Sequence, residues 1–184
     1  MKLSSLFASL LLIFLCLFAS CASSKMADAG SSVPAVIRAE AYSQKYNMQL
    51  DFMKRHLSGI LIIRKLPDKD IRIIASTYFG LSLFDFSFRG DTFHINNCIE
   101  PMQKKKVLQL LETDFKNLLL EGRNIHIKEK NDTFEKRATG NGFDKSVFYL
   151  SEFVAGHPEQ IRIKHPWLRL SIQLNKLEES QVAE

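Results

Sequence analysis

Ser82-Leu83-Phe84-Asp85-Phe86-Ser87-Phe88 sets the reading of this chain, because three phenylalanines fall two residues apart with Asp85 and Ser87 between them. Successive side chains of a strand point to opposite faces, so this spacing lines Phe84, Phe86 and Phe88 along one apolar face. Toward the N-terminus, Ile71, Ile73 and Ala75 begin another strand that ends in the turn Thr77-Tyr78-Phe79-Gly80, and Pro67-Asp68-Lys69-Asp70 has turn composition. Before that turn, residues 57–65 hold Gly59 and the run Ile60-Leu61-Ile62-Ile63, apolar on both faces. Met48, Leu50 and Phe52 alternate with Asn47, Gln49 and Asp51 as a half-buried strand. Toward the C-terminus, Arg89-Gly90-Asp91 turns the chain into Thr92-Phe93-His94-Ile95-Asn96. Short strands joined by tight turns predict an antiparallel meander.

After Pro101 the period changes. Leu108, Leu111, Phe115 and Leu118, with Leu119 beside them, recur at three- and four-residue spacing and predict an amphipathic helix over 101–121, with Gly122 placed to end it. Strands resume at Ile125 and Ile127, and residues 128–142 read as a charged, glycine-containing loop. Val147-Phe148-Tyr149-Leu150, then Ile161 and Ile163, then Leu168, Leu170, Ile172 and Leu174 complete the strand pattern. Near the other end, Pro34 suits a first helical position, so residues 33–44 are expected to form a short helix. A long sheet with one apolar face must curl around something, and the amphipathic helix is the available cover. The expected fold is therefore α+β: an incomplete, curved antiparallel β-barrel wrapped around or capped by that helix.

The N-terminal residues address the chain elsewhere. Met1-Lys2 opens an apolar run through Leu10-Leu11-Leu12-Ile13-Phe14-Leu15 that closes on Ala19-Ser20-Cys21, the layout of a secretory signal. The apolar core is shorter than the roughly 20 residues of a membrane span. The cysteine after small residues resembles the lipobox of bacterial lipoproteins, which implies a diacylglycerol on Cys21 and removal of residues 1–20. Phe18 stands where that motif prefers Leu, Val or Ile; the alternative is a secreted protein with an incidental cysteine. Residues 21–32 are small and polar and read as a tether, 33–176 as the folded domain, and 177–184 as a polar tail. With Cys16 removed and Cys21 blocked, Cys98 has no disulfide partner and reads as a small buried residue.

Lys plus Arg number 25 and Asp plus Glu 20, and the basic residues are dispersed apart from Lys104-Lys105-Lys106. That run reads as a solvated helix end, with attraction to anionic headgroups as the alternative. A nucleic-acid partner is not indicated. The five histidines have neither zinc-ligand spacing nor a His-Glu-x-x-His pair, and Gly140-Asn141-Gly142 lacks the rest of a phosphate-binding motif. No catalytic residue, metal or cofactor is expected.

Three stretches resemble the LolA/LolB-like superfamily: Leu57-Ser58-Gly59-Ile60-Leu61-Ile62-Ile63, Tyr78-Phe79-Gly80-Leu81-Ser82-Leu83-Phe84, and Pro158-Glu159-Gln160-Ile161-Arg162-Ile163 with 168–174. The resemblance implies an unclosed antiparallel barrel with helical cover. It also implies lipid or lipoprotein cargo, a soluble periplasmic carrier as partner, and an outer-membrane anchor with the domain facing the periplasm. Ala22-Ser23 lacks the Asp that retains some lipoproteins at the inner membrane. The concave lining would come from Ile71, Ile73, Phe84, Phe86, Phe88, Leu170 and Ile172, as cavity wall or as plain core. By the same resemblance Phe79, before Gly80, occupies the place of an exposed leucine that hands lipid to the bilayer. Its parity with Ile71 and Ile73 allows an inward position instead. The functional expectation is non-enzymatic binding of an acyl chain or lipoprotein; the alternative is an accessory lipoprotein acting through protein contacts.

Overall fold

The computed structural model describes residues 32–122 and 124–177. Ten strands follow in order: β1 (Gln44–Phe52), β2 (Arg55–Lys65), β3 (Ile71–Thr77), β4 (Ser82–Arg89), β5 (Thr92–Cys98), β6 (Ile125–Lys130), β7 (Phe134–Thr139), β8 (Ser146–Val154), β9 (His157–His165) and β10 (Leu170–Lys176). Among the described residues one α-helix, α1 (Lys105–Leu119), stands between β5 and β6. The strands form a single sheet ordered β5-β4-β3-β2-β1-β10-β9-β8-β7-β6, every neighbouring pair antiparallel. The chain thus makes two five-stranded meanders whose first and last strands pair in the middle of the sheet, from Tyr46 opposite Lys176 to Phe52 opposite Leu170. α1 carries the chain from edge strand β5 to the opposite edge strand β6. The result is an α+β fold, an open curved antiparallel sheet around one amphipathic helix.

Alternation explains the curl. Met48, Leu50, Leu61, Ile63, Ile73, Phe86, Ile161, Ile163, Ile172 and Leu174 are all buried, and outward neighbours such as Gln49, Arg64, Arg72 and Lys164 are exposed. The inward residues of both meanders join one core cluster with Val107, Leu111, Phe115, Leu118 and Leu119 of α1. Those helical positions recur at three- and four-residue steps, the spacing of one helix face. Gly59 is needed where the register between β3 and β4 shifts at Ala75 and Ser76. A Cβ added at Gly59 would sit 1.9 Å from the Ser76 carbonyl oxygen, so that close approach admits no side chain.

Because the sheet is antiparallel, the connections alternate between its ends. The lower end carries the turns β1–β2, β3–β4, β7–β8 and β9–β10; the upper end carries β2–β3, β4–β5, β6–β7 and β8–β9.

Three expectations are corrected. The helix is shorter than 101–121: Glu100–Met102 form a separate 3-10 turn, and Lys104 with ψ 127° breaks it from α1, which ends where Leu120 becomes extended. Residues 33–44 are not a helix. Their amides bond elsewhere, Val33 to Gly122 and both Val36 and Ile37 to the Leu118 carbonyl, so the segment is a strap along the C-terminal end of α1. Residues 128–142 include β7, which pairs with β6 and β8. The signal at 1–20 and Cys21 lie outside the described residues, as do most of the tether and of the tail.

Candidate functional site

The seven expected lining residues come together on the concave face. Ile73 and Phe86 have no exposure, Phe84, Phe88, Leu170 and Ile172 at most 2%, and Ile71 9%. Antiparallel pairing sets Ile71 opposite Phe88 and Ile73 opposite Phe86, while Leu170 and Ile172 pair with β1 and β9 in the middle of the sheet. Phe84 and Phe86 stack at 4.6 Å between ring centroids, and Phe115 of α1 lies 5.8 and 6.3 Å from them. Side chains with so little exposure face neither solvent nor a water-accessible void, so these positions are filled by the helix. A pocket of about 90 Å³ lies instead between the strap and the upper ends of β1, β9 and β10, lined by Val36, Ile37, Tyr46, Pro158 and Lys176 among others. That is well below the roughly 300–1,000 Å³ of sites that enclose a drug-sized ligand.

Phe79 is placed outward, not inward. It is 100% exposed, with Tyr78 and Leu81 exposed beside it. The turn is closed by two backbone hydrogen bonds, Gly80 N–H to Thr77 O at 3.0 Å and Thr77 N–H to Leu81 O at 2.9 Å. The Tyr78 hydroxyl donates to Asn47 Oδ1 at 3.1 Å, which ties the turn to β1. Gly80 takes φ 82°, a conformation that favours glycine. An apolar ring held in water by a fixed turn forgoes about 1.5–3 kcal/mol of burial.

Two polar clusters went unrecognised in the sequence. Asp114 sits within the buried stripe of α1, its Oδ2 2.7 Å from Nε2 of His165, whose Nδ1 lies 3.3 Å from the Ser146 hydroxyl. The order resembles a hydrolase triad, but all three residues are buried, so Ser146 Oγ is closed to a substrate and the cluster acts as a clamp between α1 and the sheet. Burial pushes the Asp114 carboxyl up, and its Oδ1 has no hydrogen-bond partner. The second cluster joins Glu135 and Arg137 of β7, with Lys130 also on Glu135 at 2.9 Å. Burial alone would raise the Glu135 carboxyl; Lys130 and Arg137 outweigh it and hold the group below its ordinary range. Arg137 also donates to the Pro34 carbonyl at 2.6 Å and so fastens the strap. The only available signal was a lone aspartate on an apolar helix face, and charges alternating at Glu135 and Arg137.

Cys98 is buried and has no disulfide partner among the described residues, and burial raises its thiol. Among the described residues no group of His, Cys, Asp or Glu is arranged to hold a metal, and no helix is long and apolar enough to cross a membrane.

No protein-family model matches the chain, and no curated protein matches it in sequence. Among solved structures, the Mycobacterium tuberculosis lipoprotein LppX overlays 77% of this chain and 88% of its own at 10% identity and a TM-score of 0.32. At that score the overlay decides neither family nor function.

Proposed function

We propose that this is a lipid-anchored bacterial outer-membrane lipoprotein, facing the periplasm and joined to the membrane through Cys21, that binds an acyl chain or lipoprotein cargo without catalysis. The observation that carries this reading is Phe79, held wholly exposed at a hydrogen-bonded turn with Tyr78 and Leu81 beside it. Such a tip has an unmet apolar surface where a hydrophobic ligand can first be captured. The concave face extends the same chemistry inward, because the open sheet leaves one helix as the main cover of Phe84, Phe86 and Phe88. Each methylene taken up contributes about 0.8 kcal/mol, so even partial entry of a chain gives useful affinity. A soluble periplasmic carrier would deliver the cargo.

A second reading, an accessory lipoprotein acting through protein contacts, is favoured by the filled interior: a ligand entering there must displace α1. Binding of a fluorescent fatty acid separates the two. Wild type should bind it, and Phe79→Ala should bind at least several-fold more weakly while its urea unfolding free energy stays within about 0.5 kcal/mol of wild type, as for an exposed side chain. No binding by wild type would remove the lipid reading in favour of the second.

A further inference from the structure

The turns at the two ends of the sheet differ in polarity and charge, and the difference is assembled from segments far apart in sequence. The four lower turns present six exposed large apolar side chains: Met53, Tyr78, Phe79, Leu81, Phe143 and Trp167. Among the described residues, the four upper turns present none, and the upper end adds only Val154 at the close of β8 and Tyr42 just before β1. The turn residues differ in charge as well, although the upper strand ends add exposed Lys65, Arg89, Lys130 and Lys176, with Arg89 paired to Asp70. The lower turns hold Lys54, Lys145 and Arg169 against Asp144, and the upper turns hold Lys69 against Asp68, Asp70, Asp91 and Asp132. Asp144 is paired with Lys106 of α1, and Lys104 and Lys105 at the start of α1 are exposed.

The lower turns are also tied together. The Met53 amide donates to the Arg169 carbonyl at 3.1 Å, joining the β1–β2 and β9–β10 turns. The rings of Phe143 and Trp167 lie 5.8 Å apart, joining the β7–β8 and β9–β10 turns, although Trp167 is 63% and Phe143 61% exposed. Aromatic rings among cations match the headgroup region of a bilayer, where tryptophan is enriched and anionic lipids attract Lys and Arg.

We propose that this lower end docks on an anionic lipid bilayer, with Met53, Phe143 and Trp167 entering the headgroup region and Lys54, Lys145 and Arg169 meeting lipid phosphates. The start of the strap agrees with that orientation. Val33 pairs with Gly122, and Asn124, just before β6, accepts from Thr139 at the lower end of β7. The inference shares the membrane placement of the proposed function and is independent of ligand uptake.

Trp167 is the single tryptophan of the chain and reports on its own contact. Full-length protein is mixed with vesicles of phosphatidylglycerol or of phosphatidylcholine, each with and without brominated acyl chains. Docking predicts a blue-shifted Trp167 emission and quenching by brominated lipid in phosphatidylglycerol, and little of either in phosphatidylcholine. Neutralising Lys54, Lys145 and Arg169 to Gln should weaken the effect about fivefold for each cation removed. Equal quenching in both lipids, quenching in neither, or a blue shift that depends on protein concentration without lipid would each overturn the proposal. Fatty-acid binding that persists when docking fails would leave the proposed function standing, and docking without fatty-acid binding would leave this inference standing.

Discussion

The two meanders build the same wall from different materials. The inward face of β1–β5 is apolar, led by Ile71, Ile73, Phe84, Phe86 and Phe88, whereas that of β6–β10 includes buried Glu135, Arg137, Thr139, Ser146 and His165. The first half grips α1 by non-directional contacts between rings and branched side chains. The second half holds it by directional bonds at Asp114, and holds the strap at Pro34. Apolar contacts thus decide how tightly the helix is held, and the polar ones decide its rotation and the path of the chain beside it.

Substitutions in the two halves should separate these roles. The largest effect is expected for Gly59→Val, which places side-chain atoms where a Cβ alone would be 1.9 Å from the Ser76 oxygen. Circular dichroism should find no cooperative unfolding transition; a native-like transition would mean that the β2–β3 approach can relax. Next, Phe86→Ala removes a fully buried ring between Phe84, Phe93 and Phe115. It should cost about 3–5 kcal/mol in urea denaturation. A much smaller loss would mark the aromatic half as loosely packed.

In the polar half, Arg137→Met deprives Glu135 of one cation and Pro34 of its donor. Lys130 still reaches Glu135, so the expected loss is about 2–3 kcal/mol, less than for a wholly unpaired buried charge. Protease cleavage within 33–43 should rise with it, and an unchanged cleavage rate would show that the strap is held by its backbone bonds alone. The smallest effect is expected for Asp114→Asn and lies in its pH dependence. The folded carboxyl is raised by burial. Its contribution is present below the ordinary carboxylate range and is lost as pH rises through the folded value. The stability of wild type relative to Asp114→Asn should therefore fall as pH rises above the ordinary carboxylate range, about pH 4, in paired urea titrations. A difference that grows with pH would mean that the His165 contact overrides burial.

The same contrast explains what could be read beforehand. β4, β10 and α1 were legible because their periodicity is written in apolar residues, and the concave set of seven followed from it. β7 is not legible in the apolar pattern because its inward positions are Glu135, Arg137 and Thr139, which alternate as a strand requires but are polar. Residues 33–44 carry a local helix cue at Pro34, yet their amides are satisfied by Leu118 and Gly122 across the fold. The inward or outward choice at Phe79 rested on parity, which ends where a turn begins. Phe143 and Trp167 lie in different turns, and only the register of four strands brings them together.

The pairing of β1 with β10 has a consequence in time. Each meander closes contacts between segments adjacent in the chain, which form with little loop entropy, whereas Tyr46 meets Lys176 only when the whole domain is available. A chain emerging N-terminus first can complete β1 to β5 while β10 is still absent. Through that interval the open side of β1 is an unsatisfied edge, and the first half waits with its aromatic face ready to join another unfinished copy. The last strand to arrive is therefore the one that seals the middle of the sheet, and the rate of that closure governs how long the folding chain remains prone to aggregation.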